Sequence, residues 1–115
     1  MSEESFRVTP RSGASEGVQI LHLSGAITFS KSAPFQDAVS KVTAPRLILD
    51  LTDVPSMDSM AVGVLVRAYV TCNKAGRKLA LVGLSRRVHN CLQLTGLEPL
   101  FDTYATVADA EQSLR

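Results

Sequence analysis

The stretch that decides the fold is Leu47-Ile-Leu-Asp-Leu-Thr-Asp-Val-Pro-Ser-Met-Asp-Ser-Met-Ala-Val-Gly63. It begins as a nearly continuous apolar run, which is typical of a central strand covered on both faces. A turn then delivers Asp58 and Ser59 to the start of a long apolar helix. Free backbone N–H groups and the helix dipole at such a start favour a phosphate on a serine there. The stretch therefore indicates a switch carried on one serine rather than a catalytic cleft.

Strands and helices alternate along the rest of the chain. The predicted strands are Phe6 to Pro10, Val18 to Leu23, Arg46 to Leu51, Lys78 to Gly83 and Phe101 to Tyr104. The first predicted helix has Pro34 in its first turn and extends to Val42, and the second covers Ser59 to Lys74. Ser85 is the predicted cap of a third helix that runs through Leu94, and Thr106 caps a last helix that reaches Leu114. A Ser- and Gly-rich turn, Arg11 to Gly17, suggests that the first two strands form a hairpin. This order predicts an α/β fold in one domain, residues 1–115, with a mostly parallel sheet of about four to five strands and about four helices.

Composition narrows the class of protein. The 115 residues are 45% apolar and 20% charged, which suits one hydrophobic core. A formal net charge of +1 gives no general attraction to nucleic acid or to anionic membranes. No stretch is apolar enough to span a bilayer, and the N-terminal Met1 to Glu4 does not resemble a signal peptide. We therefore expect a cytoplasmic protein that neither binds nucleic acid directly nor inserts into a membrane.

The side chains indicate neither catalysis nor metal binding. Cys72 and Cys91 lack the paired spacing of a zinc site or a disulfide framework, and we expect them in the core. His22 and His89 have no ligands at metal-binding spacing beside them in the sequence. Ser59 lies outside the small-residue elbow of hydrolases, and no Gly-rich phosphate loop is present. We therefore expect no enzymatic activity, no cofactor and no metal.

The order and spacing of several short motifs resemble a STAS domain, the fold of anti-sigma factor antagonists. The motifs are Leu47 to Leu51, Asp58-Ser59, Val62-Gly63, Ala75-Gly76, Leu79 to Val82, Val88 and Leu94-Thr95-Gly96-Leu97. The resemblance covers roughly Val18 to Leu114. An Asp-Ser pair alone carries no information, but its place between this strand and this helix makes the match specific.

The resemblance implies a protein-binding switch. In such antagonists, the serine after the Asp is phosphorylated by an anti-sigma factor that is also a serine kinase. The unphosphorylated form binds that partner, and a sigma factor is released. Carried over to this chain, the phosphoacceptor is Ser59, and Asp58 flanks it and shapes the turn. The resemblance leaves self-association open.

The helix after Ser59 offers a candidate docking stripe. Met60, Val64 and Arg67 share one face at helical spacing, and with Asp58 and Ser59 they form the predicted partner-binding set. Because the helix is apolar almost all round, an equally good interpretation is a helix buried more deeply than usual in the core.

The chain departs from the family pattern at two places. Met60 and Ala61 follow the Asp-Ser pair, where many antagonists have Ser or Thr and then Gly. Ala26-Ile27-Thr28 follow Gly25, where many antagonists carry an acidic pair. Both departures favour an alternative function, a non-phosphorylated STAS subunit of a transporter of the lipid ABC type or of a larger signalling complex.

Some features leave a structural and a functional interpretation open. Ser59 is either the first helical residue after an Asp58 cap or the switch itself. Arg86 and Arg87, in the first turn of a helix, are either a solvated pair or contacts to an acidic partner or a phosphate. A weaker alternative is a small-ligand sensor with a cavity under Arg11 to Gly17 or under Gly25 to Lys31.

Overall fold

The computed structural model describes residues 6–114. Five strands form one sheet in the order β1-β2-β3-β4-β5. They are β1 (Arg7–Ser12), β2 (Val18–Ser24), β3 (Arg46–Asp53), β4 (Lys78–Val82) and β5 (Asp102–Tyr104). β1 runs antiparallel to β2, and the other neighbouring strands are parallel. The predicted α/β fold with an N-terminal hairpin is therefore confirmed.

Helices cover the sheet unequally. The described residues contain α1 (Ser32–Ser40), α2 (Ser59–Lys74), α3 (Arg86–Leu94) and α4 (Val107–Ser113), with 3₁₀ turns at Phe29–Lys31 and Glu98–Leu100. Side chains of α1, α2 and α3 enter the larger core on one face of the sheet. On the other face, Ala110 of α4 and Leu114 after it join the smaller core, and Val107 of α4 packs against it. Because α2 packs against α1 on one side and α3 on the other, it is the middle helix of its layer.

Strand β3 is apolar on both faces because both faces are buried. Leu47, Leu49 and Leu51 point into the larger core, whereas Ile48 points into the smaller one. All four side chains are fully buried. The nearly continuous apolar run in the sequence follows from this central position in the sheet.

Several element boundaries differ from the prediction, among them those of the hairpin turn and of the end of α1. β1 continues to Ser12, which pairs with Gln19, so the hairpin turn is shorter than the predicted Arg11 to Gly17. Helix α1 ends at Ser40, and the amide of Val42 closes a turn on the carbonyl of Val39. Val42 is therefore wrongly placed in the helix by its apolar spacing, because it reaches the core from the turn.

The hairpin turn is fastened to the last helix. The carboxylate of Glu111 accepts hydrogen bonds from the amides of Ala14 at 3.0 Å and Ser15 at 3.1 Å.

Met1 to Glu4, which were predicted not to form a signal peptide, lie outside the described residues. Within residues 6–114, no helix has the length and apolar character needed to cross a membrane.

Candidate functional site

Two loops join at the carboxyl end of the parallel strands and position Asp58. Ile27, after β2, forms a parallel bridge with Met57, after β3. The Ile27 amide donates to the Ser56 carbonyl at 3.0 Å, and the Asp58 amide donates to the Ile27 carbonyl at 3.2 Å. The side chains of Ile27 and Met57 are buried in the larger core. The loops therefore hold the start of α2 at a fixed place at the carboxyl end of the parallel strands.

Asp58 is the N-cap of α2. Its backbone is extended, and its Oδ1 accepts hydrogen bonds from the amides of Met60 at 3.1 Å and Ala61 at 3.2 Å. Two of the amides that were expected to attract a phosphate are thus already satisfied by a carboxylate. Ser59 is the first residue of α2, and its side chain is exposed. A phosphate on Ser59 would therefore project outward beside the Asp58 carboxylate.

The predicted stripe of Met60, Val64 and Arg67 is not continuous on the surface. Met60 is 49% exposed and Arg67 is exposed, but Val64 is only 8% exposed and belongs to the larger core. Its placement as an outward-facing residue is wrong because α2 packs against α1, and Val64 turns toward that contact. The exposed line instead passes from Met60 through Gly63 to Arg67.

A shallow groove of about 370 Å³ runs between α1 and α2 beside Ser59. It is lined by Ser32, Ala33 and Gln36 of α1 and by Ser59, Met60, Gly63, Val64 and Arg67 of α2. A Cβ added at Gly63 would have no atom within 4 Å, so the space above that residue is open. Val64 therefore lines the groove rather than the outer surface of the helix.

Two features of this end of the molecule were missed by the sequence interpretation. Phe29, in the 3₁₀ turn that contacts α2, is 67% exposed. Gly63 opens the surface of α2 in its interior, where Gly is usually unfavourable. A glycine within an otherwise strong helical pattern was the available signal for Gly63. No local signal for Phe29 exists, because an aromatic residue near a helix start is equally compatible with the core.

The start of α3 lies beside the loop that carries Asp58. The Ser85 hydroxyl donates to the Pro55 carbonyl at 3.1 Å and accepts from the Val88 amide at 3.2 Å. The predicted Ser85 cap is thereby confirmed. The cap holds the exposed side chains of Arg86 and Arg87 at the same end of the molecule as Ser59.

A separate polar cluster lies on the α4 face of the sheet. His22 bridges two carboxylates, with Nδ1 3.2 Å from Asp50 Oδ2 and Nε2 2.9 Å from Asp53 Oδ2. Burial acts to raise the pKa of Asp50, but hydrogen bonds from Thr52 and His22 outweigh it and leave that pKa below its ordinary value. In the described part of the chain, no group of His, Cys, Asp or Glu side chains is arranged to hold a metal ion.

The two cysteines and the second histidine have structural surroundings. Cys72 is buried in the larger core, where burial raises the pKa of its thiol, although the charge of Arg77 opposes that change. Cys91 is partly buried and packs against the same core. His89 pairs with the Glu98 carboxylate and links α3 to the following 3₁₀ turn. The prediction that the cysteines lie in the core is therefore confirmed for Cys72, whereas Cys91 is only partly buried at the margin of the core.

Comparison with known proteins identifies similar chains. A family model for the STAS domain matches residues 10–110. A Thermotoga maritima protein with the provisional name of anti-sigma factor antagonist is 33% identical over 70 residues, which are 61% of this chain and 62% of that relative. In that match the chain thus spans less than two thirds of the relative's length. The anti-sigma F factor antagonist of Paenibacillus polymyxa is 26% identical over 98 residues, 82% of this chain and 84% of the relative.

A solved structure has the same architecture. The crystal structure of an anti-sigma factor antagonist from Mycobacterium paratuberculosis superimposes with a TM-score of 0.87. The match covers 96% of this chain and 95% of that one, at 24% sequence identity. At this level of identity the likeness establishes the shared fold.

Proposed function

Because this chain belongs to the STAS-domain family, we propose that it is an anti-sigma factor antagonist. In this proposal it binds an anti-sigma factor with serine kinase activity, and phosphorylation of Ser59 controls the binding. The names of the relatives from Thermotoga maritima and Paenibacillus polymyxa support the class of function. The surface around Ser59 supports the site.

The observation that carries the proposal is the exposed Ser59 at the first position of a capped helix. Asp58 fixes the start of α2, and the Ile27–Met57 bridge fixes Asp58. A kinase can reach the Ser59 hydroxyl without opening the fold, since the side chain is exposed and lies next to a groove. Reversible modification of this residue therefore changes the surface and leaves the core as it is.

Charge explains how a phosphate would switch binding. A phosphate adds nearly two negative charges at neutral pH. Asp58 Oδ1 already accepts from the Met60 and Ala61 amides, so the new charges would face a bound partner rather than those amides. A penalty of about 3 kcal/mol at the interface would lower affinity roughly a hundredfold. Negative charge at a helix start is favourable, so the fold tolerates the phosphate.

The first test uses substitutions at Ser59. Ser59→Asp should bind an anti-sigma factor at least about tenfold more weakly than the wild type, because it adds charge at the interface. Ser59→Ala should bind as tightly as the unphosphorylated wild type. Affinity is measured by calorimetry against each purified anti-sigma factor kinase encoded in the source genome. The matched control is Ser12→Asp, since Ser12 is exposed at the opposite end of the sheet.

Intact-mass measurement after incubation with the binding kinase and ATP tests the modification itself. One added phosphate, absent from Ser59→Ala, is the expected result. Equal affinities of the Asp and Ala variants would contradict control at Ser59. A stable complex with a transporter or scaffold, together with an unmodified Ser59, would instead support the non-phosphorylated subunit that Met60 and Ala61 favour.

A further inference from the structure

Several residues near Ser59 are unfavourable for the isolated fold. Phe29 and Met60 expose 67% and 49% of their surface to water. Gly63 lies in the interior of α2, where it has high conformational entropy to lose and no neighbour that requires its small size. Arg86 and Arg87 place positive charge at the positive end of the α3 dipole. Exceptions to local rules that gather at one place are typical of functional surfaces.

These residues lie together at the carboxyl end of the parallel strands. Phe29 follows the Ile27–Met57 bridge, and its 3₁₀ turn contacts α2. Met60 and Gly63 line the groove that contains Ser59. The Ser85–Pro55 hydrogen bond brings the start of α3 to the same loop. The exposed apolar side chains and the two arginines therefore share one end of the molecule.

Basic side chains outnumber carboxylates around the groove and the start of α3, while the exposed Asp53 carboxylate at the end of β3 contacts His22 on the α4 face. Lys31, Arg67, Arg86 and Arg87 make no salt bridge with any residue in the range 6–114. Residues 29–40, 54–74 and 85–94 contain only two carboxylates, those of Asp37 and Asp58. Asp37 pairs with Lys41 at 3.0 Å, and Asp58 is occupied as the cap of α2. Since the formal net charge of the chain is only +1, the positive charge is concentrated locally.

We propose that this surface binds an acidic protein segment that carries apolar side chains. The surface consists of Phe29, Met60, Gly63, Arg67, Arg86 and Arg87, and we call it the basic–apolar face. Apolar side chains of the partner pack on Phe29 and Met60, and the open space over Gly63 lets its backbone approach closely. Carboxylates of the partner pair with the arginines at the rim, where charge contributes most to the rate and specificity of association. This inference rests on the proposed function for the partner's identity as an anti-sigma factor.

Charge complementarity also gives the proposed switch its direction. Ser59 lines the same groove as Met60, Gly63 and Arg67 of the basic–apolar face. A phosphate there repels the carboxylates of the partner and competes with them for the arginines. Phosphorylation therefore releases an acidic partner, whereas it would strengthen the binding of a basic one.

A probe of defined chemistry tests the face without any cognate partner. The probe is a short amphipathic helical peptide of Leu and Glu, and its matched control has Lys at every Glu position. In a titration of the ¹⁵N-labelled protein, the acidic peptide should shift the amide resonances of the basic–apolar face. The Lys peptide should shift none of them, and added salt should weaken the acidic complex. Equal shifts with both peptides, shifts elsewhere on the molecule, or tighter binding of oligothymidine would overturn the proposal.

A charge reversal tests the same face with the anti-sigma factor. The double variant Arg86→Glu/Arg87→Glu places carboxylates at the start of α3, where they favour the helix, so its Tm should rise. Its association rate constant should nevertheless fall at least about tenfold. Lys78→Glu is the control, since Lys78 is exposed at the amino end of β4, and it should bind as the wild type does.

The two proposals fail in different ways. Unchanged association of Arg86→Glu/Arg87→Glu would overturn the acidic partner and leave the antagonist function standing. If the wild-type chain binds no anti-sigma factor, the proposed function fails. The peptide titration then decides alone whether the face takes an acidic segment.

Discussion

Single residues at this site combine a structural and a surface role. Asp58 stabilises the start of α2 with one carboxylate oxygen and leaves Ser59 exposed beside it.

Gly83, directly after β4, occupies a position that requires both a positive φ and the absence of a side chain. Its φ is +70°, and an added Cβ would lie 2.2 Å from Thr52 Oγ1. That hydroxyl donates to Asp50 at 2.6 Å, so the space at Gly83 protects a partly buried hydrogen bond.

Gly83→Ala should lower the free energy of unfolding by about 3 kcal/mol, since strain at positive φ adds to a steric clash with Thr52. Gly76→Ala is the matched control, because Gly76 has a φ of +71° but no atom near the added Cβ. That variant should lose about 1 kcal/mol from backbone strain alone. Urea unfolding of both variants measures the difference. Equal losses would show that the approach of Thr52 is unimportant.

The hydrogen bonds of Asp50 with Thr52 and His22 should make the free energy of unfolding depend on pH. Burial raises the pKa of Asp50, but the hydrogen bonds of Thr52 and His22 favour the carboxylate more strongly and hold the folded pKa below its ordinary value of 3.8. Its contribution is therefore complete above that value and is lost as the pH falls through the folded pKa. Asp50→Asn should unfold more readily at neutral pH and lose less stability on acidification below about pH 4. Parallel urea titrations measure both, and identical acid slopes would contradict the assignment.

At the scale of elements, α2 shows what the sequence predicts well and what it does not. Its bounds, Ser59–Lys74, and the cap by Asp58 follow from the sequence, because apolar spacing and capping chemistry are local. The direction of Val64 could not be derived, since apolar residues cover nearly the whole helix. Only its packing against α1 determines that Val64 is buried while Gly63 and Arg67 face solvent.

Gly63→Ala should separate the stability of α2 from its binding. Alanine loses less conformational entropy in a helix, so the free energy of unfolding should rise by about 0.5–1 kcal/mol. The added methyl group occupies the open space of the groove, so affinity for the partner should fall. Asn73→Ala, at the exposed far end of the same helix, should gain stability and keep its affinity. Thermal unfolding and calorimetry measure both quantities, and unchanged affinity of Gly63→Ala would argue against close approach there.

At the scale of the whole molecule, the sequence predicted the architecture and only part of the site. The alternation of strands and helices determines the α/β fold, since right-handed crossovers leave few topologies. The meeting of the 3₁₀ turn, α2 and α3 around Ser59 depends on contacts between residues far apart in sequence, such as Ile27 with Met57 and Ser85 with Pro55. The sequence therefore groups Arg67 with Ser59 but gives no basis for adding Phe29, Arg86 and Arg87.

The hydrogen bonds between Glu111 and the turn of the β1–β2 hairpin join parts of the molecule that are far apart in sequence. Ala14 and Ser15, whose amides donate these bonds, lie 97 and 96 residues earlier in the chain. During vectorial synthesis the β1–β2 hairpin can form early, because its contacts are local. The amides of its turn nevertheless gain the two carboxylate oxygens of Glu111 as acceptors only after α4 has left the ribosome. Until then, the β1–β2 hairpin lacks the two hydrogen bonds that hold its turn against α4.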